Sequence, residues 1–166
     1  MKNIVLFGFM GCGKTTVGAK LAQKAGLLPL DTDLYLEEKY GRRIGEIFSQ
    51  DGESAFRRME QAVCAELAER DGLVLCCGGG TVLAEENARL LSQSGRMVFL
   101  SAPFAVCYKR IQTSDRPLVR QNTREGLHKI FSSRQPVYLS RAELTVNAAA
   151  PPEQVADAIL AAIGQI

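Results

Sequence analysis

A glycine-rich segment close to the N-terminus constrains the fold of this chain more than any other feature. Residues 8–15, GFMGCGKT, match the pattern G-x-x-x-x-G-K-[ST]. An apolar run over residues 3–7 precedes the segment, and apolar residues at helical spacing (Val17, Leu21 and Ala25) follow it. A strand, a glycine-rich turn and a helix in this order direct backbone N–H groups and the helix N-terminus towards one anion. The sequence therefore predicts an α/β fold with a nucleotide-phosphate site at residues 8–15.

Two side chains of this segment have the chemistry that a nucleotide site requires. The Lys14 ammonium would bridge the β- and γ-phosphates, and the Thr15 hydroxyl would ligate Mg²⁺. The alternative is a glycine-rich turn with an adjacent lysine. A random match to the pattern in a chain of this length is expected on the order of one time in a hundred, so we favour the nucleotide site.

The rest of the chain alternates short apolar runs with helical patterns. Besides residues 3–7, strands are predicted at residues 27–30, 73–77, 97–100 and 144–146. The runs at 73–77 and 97–100 are continuously apolar, as in strands covered on both faces, and enough chain follows each for a crossover helix. These features predict one three-layer α/β/α domain over residues 1–166, with about five parallel strands.

Helical patterns connect these runs. They lie around residues 17–25, 34–39, 44–48, 56–67, 104–112 and 124–137, with a closing helix after Pro151 and Pro152. Residues 113–123 have no apolar period, and we interpret them as a mobile loop.

Composition excludes several classes of function. The chain has 20 Lys and Arg residues against 18 Asp and Glu, and a formal net charge of +2 is too small to indicate a nucleic-acid partner. Its 5 cysteines form no CxxC motif, so they are interpreted as free buried thiols. The only histidine, His128, cannot by itself form a multi-histidine metal site or a conventional catalytic triad.

Segment lengths also predict the location and the assembly of the protein. No apolar run approaches the roughly 20 residues that cross a bilayer, and the N-terminal residues contain no apolar stretch long enough for a secretory signal. No heptad repeat or long apolar stripe indicates assembly. We therefore expect a cytoplasmic monomer that does not bind membranes.

Two carboxylates follow the second predicted strand. Asp31 and Asp33 lie at the carboxyl edge of the sheet, where ligands of open α/β sheets bind. On an extended backbone, residues two apart face the same side, so both carboxylates could converge on one space. One could hold Mg²⁺ while the other accepts from a substrate hydroxyl, and Asp33 could also act as a general base. Alternatively, one of the two only caps the following helix.

Glycines and arginines complete a second candidate site. Glycines 78–80 follow the third strand and would allow a ligand to lie against the backbone. Arg57 and Arg58 are neighbours on a helix and diverge by about 100°, so only one of them can easily point into a site. Arg134 lies near a helix end. Together with the carboxylates, these residues predict a pocket for an anionic, hydroxylated small molecule.

In this order the motifs resemble those of the shikimate kinase family, small P-loop kinases of the nucleoside-monophosphate-kinase-like group. The resemblance extends over essentially the whole chain. The series comprises the phosphate loop, Asp31-x-Asp33, Phe56-Arg57-Arg58-x-Glu60, Gly78-Gly79-Gly80, Arg116-Pro117-Leu118 and Arg134-x-Pro136-x-Tyr138. It implies a P-loop NTPase fold with sheet order 2-3-1-4-5, a substrate-binding segment at about residues 32–62 and a lid at about residues 112–124. The activity implied is transfer of the ATP γ-phosphoryl group to the 3-hydroxyl of shikimate, on the route to chorismate and the aromatic amino acids.

The resemblance also implies residue roles, by matching motif positions. Lys14, Asp33 and Arg116 would be catalytic, with Arg116 coming from the lid to the phosphates. Thr15 and Asp31 would hold Mg²⁺. The other implied contacts are Gly11, Cys12, Gly13 and Thr16 for the ATP phosphates, Arg110 and Pro152 for adenine, and Asp33, Arg57, Gly78, Gly79, Gly80 and Arg134 for shikimate.

The sequence departs from the family pattern in two places. Cys76-Cys77 precedes the triple glycine where an aliphatic or small polar pair is usual, and Ala149-Ala150 replaces a polar or basic residue before the proline pair. We expect the adenine contacts to be mainly apolar and made by the backbone.

Other functions remain as alternatives. A gluconate kinase, or another small-metabolite kinase, could use the same scaffold. A nucleotide-dependent switch protein would carry an Asn-Lys-x-Asp signature, which this sequence lacks. An inert binding module would not need Lys14, Thr15, Asp31 and Asp33 together.

Overall fold

A five-stranded parallel sheet forms the centre of the structure. The computed structural model describes residues 2–164. The strands are β1 (Asn3–Phe7), β2 (Leu28–Asp31), β3 (Leu73–Cys76), β4 (Gly95–Ser101) and β5 (Leu144–Asn147). Their order is β2-β3-β1-β4-β5, and every neighbouring pair is parallel. This confirms the expected sheet order, and it brings the carboxyl ends of all the strands to one edge.

Helices cover both faces of this sheet. They are α1 (Lys14–Ala25), α2 (Thr32–Tyr40), α3 (Ile44–Asp51), α4 (Glu53–Ala68), α5 (Glu85–Ser94), α6 (Phe104–Ile111), α7 (Pro117–Gln121), α8 (Arg124–Arg141) and α9 (Pro152–Ile163), with one 3₁₀ turn at Thr81–Leu83. Helix α1 packs against α9, whereas α4 packs against α3 and α5. The helices therefore form the two outer layers of the predicted α/β/α architecture.

The core lies between these layers. All residues of β1 and β3 are buried, as expected for continuously apolar strands. Tyr138 of α8 is fully buried as well, and its ring packs at 6.0 Å from Phe7 and at 5.3 Å from Phe99. Its hydroxyl donates a hydrogen bond to the Gly79 carbonyl at 2.6 Å. Core packing thus fixes the loop that follows β3.

The structure corrects two local predictions. Residues 113–123 are not entirely a loop, because α7 forms within them with Pro117 at its first turn. A helix of 5 residues is too short to show an apolar period. Helix α8 does not end at residue 137 but continues to Arg141 with Pro136 inside it. An interior proline costs about 3 kcal/mol, and the burial of Tyr138, two residues further along, contributes in the opposite direction.

Among residues 2–164, no helix is both long enough and apolar enough to cross a bilayer.

Candidate active site

The phosphate loop connects β1 to α1 and has the predicted backbone geometry. Gly11 and Gly13 have φ angles of 78° and 95°, which side chains with a Cβ rarely adopt. A Cβ on Gly11 would also lie 2.6 Å from the Cys107 carbonyl oxygen. The Lys14 ammonium folds back over the loop and donates to the Gly8 carbonyl at 2.7 Å and to the Phe9 carbonyl at 3.2 Å. The positive charge of Lys14 thus lies over the backbone of the loop, next to the first turn of α1.

Asp31 lies at the junction of β2 and α2. Its Oδ1 accepts hydrogen bonds from the Asp33 N–H at 2.9 Å and from the Leu34 N–H at 3.1 Å, so Asp31 is the N-cap of α2. Its Oδ2 lies 3.5 Å from the Thr15 hydroxyl of α1. Asp31 and Asp33 therefore do not lie on one extended strand, because Asp33 is already in the first turn of α2, and this corrects that part of the prediction. The capping alternative is confirmed for Asp31, but its second oxygen still faces the phosphate loop.

The pair formed by Thr15 and Asp31 fits the chemistry of a magnesium site. A hydroxyl and a carboxylate are hard oxygen donors, which Mg²⁺ prefers, and the remaining ligands in kinase sites are substrate phosphates and water. Among residues 2–164, no group of three His, Cys, Asp or Glu side chains could hold a metal ion alone. Any Mg²⁺ held here would therefore need further oxygens from the nucleotide or from water.

Asp33 lies in the first turn of α2, and its carboxyl group has an unusual environment. The pKa of Asp33 is raised from 3.8 to about 6, mainly by burial and in addition by the nearby carboxylates of Asp31 and Glu60. The positive charges of Lys14 and Arg116 act in the opposite direction on this pKa. The carboxylate can therefore accept a proton close to neutral pH, which is the property that a general base requires.

Three charged side chains converge on the triple glycine. A Cβ on Gly78 would lie 2.6 Å from Oδ1 of Asp33. A Cβ on Gly79 would lie 3.3 Å from Nη1 of Arg134, and one on Gly80 would lie 2.8 Å from Nη1 and Nη2 of Arg57. Each glycine thus faces one of the three side chains that the sequence placed together. A side chain at any of these positions would force the facing charged group to shift from its present place.

The triple glycine also lies against the phosphate loop. A Cβ on Gly79 would stand 3.8 Å from the Gly8 carbonyl oxygen and 3.8 Å from Cγ of Met10. The anion-binding loop and the charged cluster are therefore adjacent. This arrangement could hold a nucleotide triphosphate on one side and an anionic, hydroxylated acceptor on the other.

Helix α4 positions Arg57. The neighbouring Arg58 is exposed whereas Arg57 is half-buried, so only one of the pair points inward, as predicted. Nη1 of Arg57 donates to Oε1 of Glu60 at 2.8 Å, and Glu60 is buried. Oε2 of Glu60 accepts from the Thr81 hydroxyl at 2.9 Å. The motif series contains Glu60 without a role, and no sequence feature indicates Thr81, because no local pattern reveals a contact between residues 21 positions apart.

Helix α8 positions Arg134 in a different way. Arg134 is half-buried, and Tyr138 lies one turn further along the same helix. Because the Tyr138 hydroxyl is bonded to the Gly79 carbonyl, the helix is attached to the loop that Arg134 faces. Burial raises the pKa of Tyr138 to about 12, so this hydroxyl remains a donor over the physiological range.

A cavity of about 210 Å³ lies beside the phosphate loop, where the adenine contacts were expected. It is lined by Cys12, Gly13, Thr16, Val17, Arg110, Ala148, Ala150 and Pro152. Nη1 of Arg110 donates to the Gly11 carbonyl at 3.0 Å, so Arg110 is hydrogen-bonded to the phosphate loop. Arg110 and Pro152 thus lie together as predicted.

A larger open hollow of about 530 Å³, lined by Ser101, Ala102, Pro103, Phe131, Gln135, Thr145 and Asn147, contains none of the predicted site residues.

Arg116 is the predicted site residue that the structure leaves apart from the others. It is exposed at the N-terminus of α7, and within residues 2–164 its guanidinium forms no ion pair or hydrogen bond with the phosphate loop. Its charge nevertheless lowers the pKa of Asp33, so it lies on the same side of the molecule.

Comparisons with known proteins agree with this geometry. A sequence model of the family "Shikimate kinase" matches residues 10–164. A shikimate kinase of Ruegeria pomeroyi is 41% identical over 98% of this chain and 85% of its own length. The chain belongs to the shikimate kinase family. A shikimate kinase of Pseudomonas putida is 39% identical over 100% of this chain and 98% of its own length.

Solved structures of shikimate kinases are similar to the structure of this chain over nearly its whole length. The Acinetobacter baumannii enzyme, solved in complex with shikimate, has a TM-score of 0.93 at 36% identity and covers 99% of this chain and 94% of that one. The enzyme of Aquifex aeolicus has a TM-score of 0.84 at 32% identity, covering 98% and 96%. A gluconokinase of Sinorhizobium meliloti has a TM-score of 0.62 at 17% identity, which shows a shared fold alone. The gluconate kinase alternative is therefore not favoured, and kinase activity on shikimate with ATP follows from family membership.

Proposed function

We propose that this shikimate kinase family member uses its phosphate loop and triple glycine as two halves of one site, for ATP and for shikimate. The observation that carries the proposal is the convergence of Asp33, Arg57 and Arg134 on glycines 78–80, next to the phosphate loop. In this site, the γ-phosphoryl group of ATP would be transferred to the 3-hydroxyl of shikimate.

The nucleotide half would hold ATP through residues 11–16. The Lys14 ammonium, which donates to the Gly8 and Phe9 carbonyls in this structure, would turn to the β- and γ-phosphates when ATP binds. Arg110 and Pro152 would flank the adenine in the cavity beside the loop. Thr15 and Asp31 would hold Mg²⁺, which when bound neutralises charge on the phosphates.

The acceptor half would hold shikimate through its carboxylate and hydroxyls. Arg57 and Arg134 present planar guanidinium groups, which bind a carboxylate through paired hydrogen bonds. Each such charged hydrogen bond contributes about 1.5–3 kcal/mol. Asp33 would accept a hydrogen bond from the reacting hydroxyl, and its raised pKa suits it to take the proton as the O–P bond forms.

Residues 112–124 would act as a lid over the two halves. Arg116 lies on this segment and is exposed in the structure. Closure would bring its charge to the transferring phosphoryl group and exclude water that could otherwise hydrolyse ATP. The acceptor-binding segment would comprise residues 32–62, and the whole chain would act as a single kinase domain. We also propose that the protein works as a cytoplasmic monomer, without a nucleic-acid or membrane partner.

One assay tests this function. Purified protein is incubated with ATP, Mg²⁺ and shikimate, and ADP release is compared with reactions that contain gluconate or no acceptor. We expect ADP release only with shikimate, one phosphate transferred per ADP, and the phosphate on the 3-oxygen by NMR. Equal turnover with gluconate, or ADP release independent of acceptor, would contradict the proposal.

A further inference from the structure

A chain of hydrogen-bonded side chains lies directly behind the triple glycine. It runs from Thr81 through Glu60 to Arg57. The Thr81 hydroxyl donates to one carboxylate oxygen of Glu60 at 2.9 Å, and the other oxygen accepts from Arg57 at 2.8 Å. Arg57 in turn faces Gly80 on the acceptor side of the site.

Glu60 depends on both of these partners. Its side chain is only 4% exposed, so water reaches its oxygens poorly. A buried carboxylate is costly unless hydrogen bonds satisfy its oxygens. Here each oxygen has one side-chain partner, Thr81 for Oε2 and Arg57 for Oε1. Loss of either partner would leave a buried charge incompletely satisfied.

Glu60 is the acidic partner that lies nearest to Arg57, and the guanidinium also lies 5.2 Å from the centre of the Phe56 ring. Its other acidic partner, Glu53, lies at 3.6 Å and is 69% exposed, so that contact is weak. The Arg57 side chain is itself 35% exposed and has room to turn towards solvent. The orientation of the guanidinium therefore follows the orientation of the Glu60 carboxylate.

We infer that Thr81 is a positioning residue for acceptor binding, because its hydroxyl orients Glu60 and, through it, the Arg57 guanidinium. Thr81 is fully buried, so it acts on the acceptor only through these two side chains. The inference rests on the proposed function in one respect, that Arg57 binds the acceptor carboxylate. It assigns part of the specificity of the site to a residue outside the motif series.

The backbone of Thr81 is anchored separately from its hydroxyl. Its N–H donates to the Gly78 carbonyl at 3.1 Å, and its carbonyl accepts from Nδ2 of Asn87 at 3.0 Å. A substitution that keeps the side-chain shape but removes the hydroxyl therefore changes the contact with Glu60 while leaving these anchors. Thr81→Val does this, whereas Thr81→Ser keeps the hydroxyl and removes only a methyl group.

The experiment measures shikimate KM, ATP KM and kcat for both variants and for the wild-type protein. We expect Thr81→Val to raise shikimate KM about tenfold, as for loss of about one charged hydrogen bond, with ATP KM and kcat within about twofold. We expect Thr81→Ser to keep the wild-type shikimate KM. Ser94→Ala, which removes another buried hydroxyl bonded to the Leu91 carbonyl at 3.0 Å, is the control for general loosening.

The outcomes separate positioning from structure. An unchanged shikimate KM in Thr81→Val, or an equal rise in Thr81→Ser or Ser94→Ala, would overturn the inference. If Thr81→Val does not fold, Thr81→Ala carries the same expectation and the same refutation. In an Arg57→Ala background, Thr81→Val should have no further effect on shikimate KM, and an additive effect would also overturn the inference. A wild-type protein that does not phosphorylate shikimate would instead refute the proposed function.

Discussion

Replacement of Asp33 by asparagine should stabilise the fold and abolish most of the turnover. The physical basis is the pKa of this carboxyl group, which burial and neighbouring carboxylates raise from 3.8 to about 6. The folded chain therefore holds the Asp33 proton more tightly than the unfolded chain does. The contribution of this bound proton to the free energy of unfolding is fully present below pH 3.8 and is lost as pH rises through about 6.

The size of the effect follows from the same pKa. The rise from 3.8 to about 6 corresponds, at roughly 1.4 kcal/mol per pKa unit, to about 3 kcal/mol of folding free energy lost above pH 6. Asparagine has nearly the same shape and carries no charge, so it avoids this cost. At roughly 2–4 °C per kcal/mol for a chain of this size, Asp33→Asn should raise the unfolding temperature by up to about 6–12 °C.

Thermal unfolding without ligands at pH 7.5 and at pH 4 measures this difference. The stabilisation should be large at pH 7.5 and much smaller at pH 4, where the folded wild-type protein holds the Asp33 proton and the unfolded chain holds it in part. Asp71→Asn is the control, because Asp71 is exposed and should show no comparable gain. A variant that is no more stable than wild type at pH 7.5 would refute the account of Asp33.

The same carboxyl group should control the pH dependence of turnover. If Asp33 must be ionised to accept the hydroxyl proton, kcat/KM for shikimate falls about tenfold for each pH unit below about 6. Asp33→Asn should lower kcat more than it raises shikimate KM. A variant that keeps most of its kcat would indicate that Asp33 only positions the acceptor.

Two further predictions concern the arginines. Arg57→Ala should raise shikimate KM by roughly ten- to a hundredfold, the effect of about one charged hydrogen bond. Arg58→Ala, at an exposed position on the same helix, should leave shikimate KM unchanged. Steady-state kinetics at saturating ATP measure both values, and equal effects of the two substitutions would contradict the role of Arg57. Arg116→Ala should lower kcat more than it changes shikimate binding, measured by calorimetry, because among residues 2–164 the exposed Arg116 guanidinium forms no ion pair or hydrogen bond with the acceptor cluster. An unchanged kcat would argue against a lid role.

Much of this fold and site could be predicted because the decisive signals are local. The phosphate loop is a contiguous pattern, and the continuously apolar runs at β3 and β4 identify strands that helices cover on both faces. Helical geometry alone predicts that only one of Arg57 and Arg58 points inward, and the resemblance to the family indicates Arg57. These features depend on neighbours in sequence, so the sequence suffices to find them.

The remaining features depend on contacts between distant residues or on competing preferences. Asp31 was read on an extended backbone, but an aspartate that precedes a helix is stabilised by capping, and this preference starts α2 directly after it. The sequence predicts the end of α8 at residue 137, but the helix continues to Arg141, and the burial of Tyr138 in this last part depends on the sheet rather than on neighbours in sequence. No sequence pattern indicates a role for Thr81, since its hydrogen-bond partner Glu60 lies on another helix.

A crystal structure with shikimate and a non-hydrolysable ATP analogue tests the central claim most directly. We predict that the shikimate carboxylate lies within about 3.2 Å of both Arg57 and Arg134, with the 3-hydroxyl beside Asp33 and facing the γ-phosphate above Lys14. A ring bound elsewhere, or guanidinium groups turned towards solvent while shikimate is bound, would contradict it.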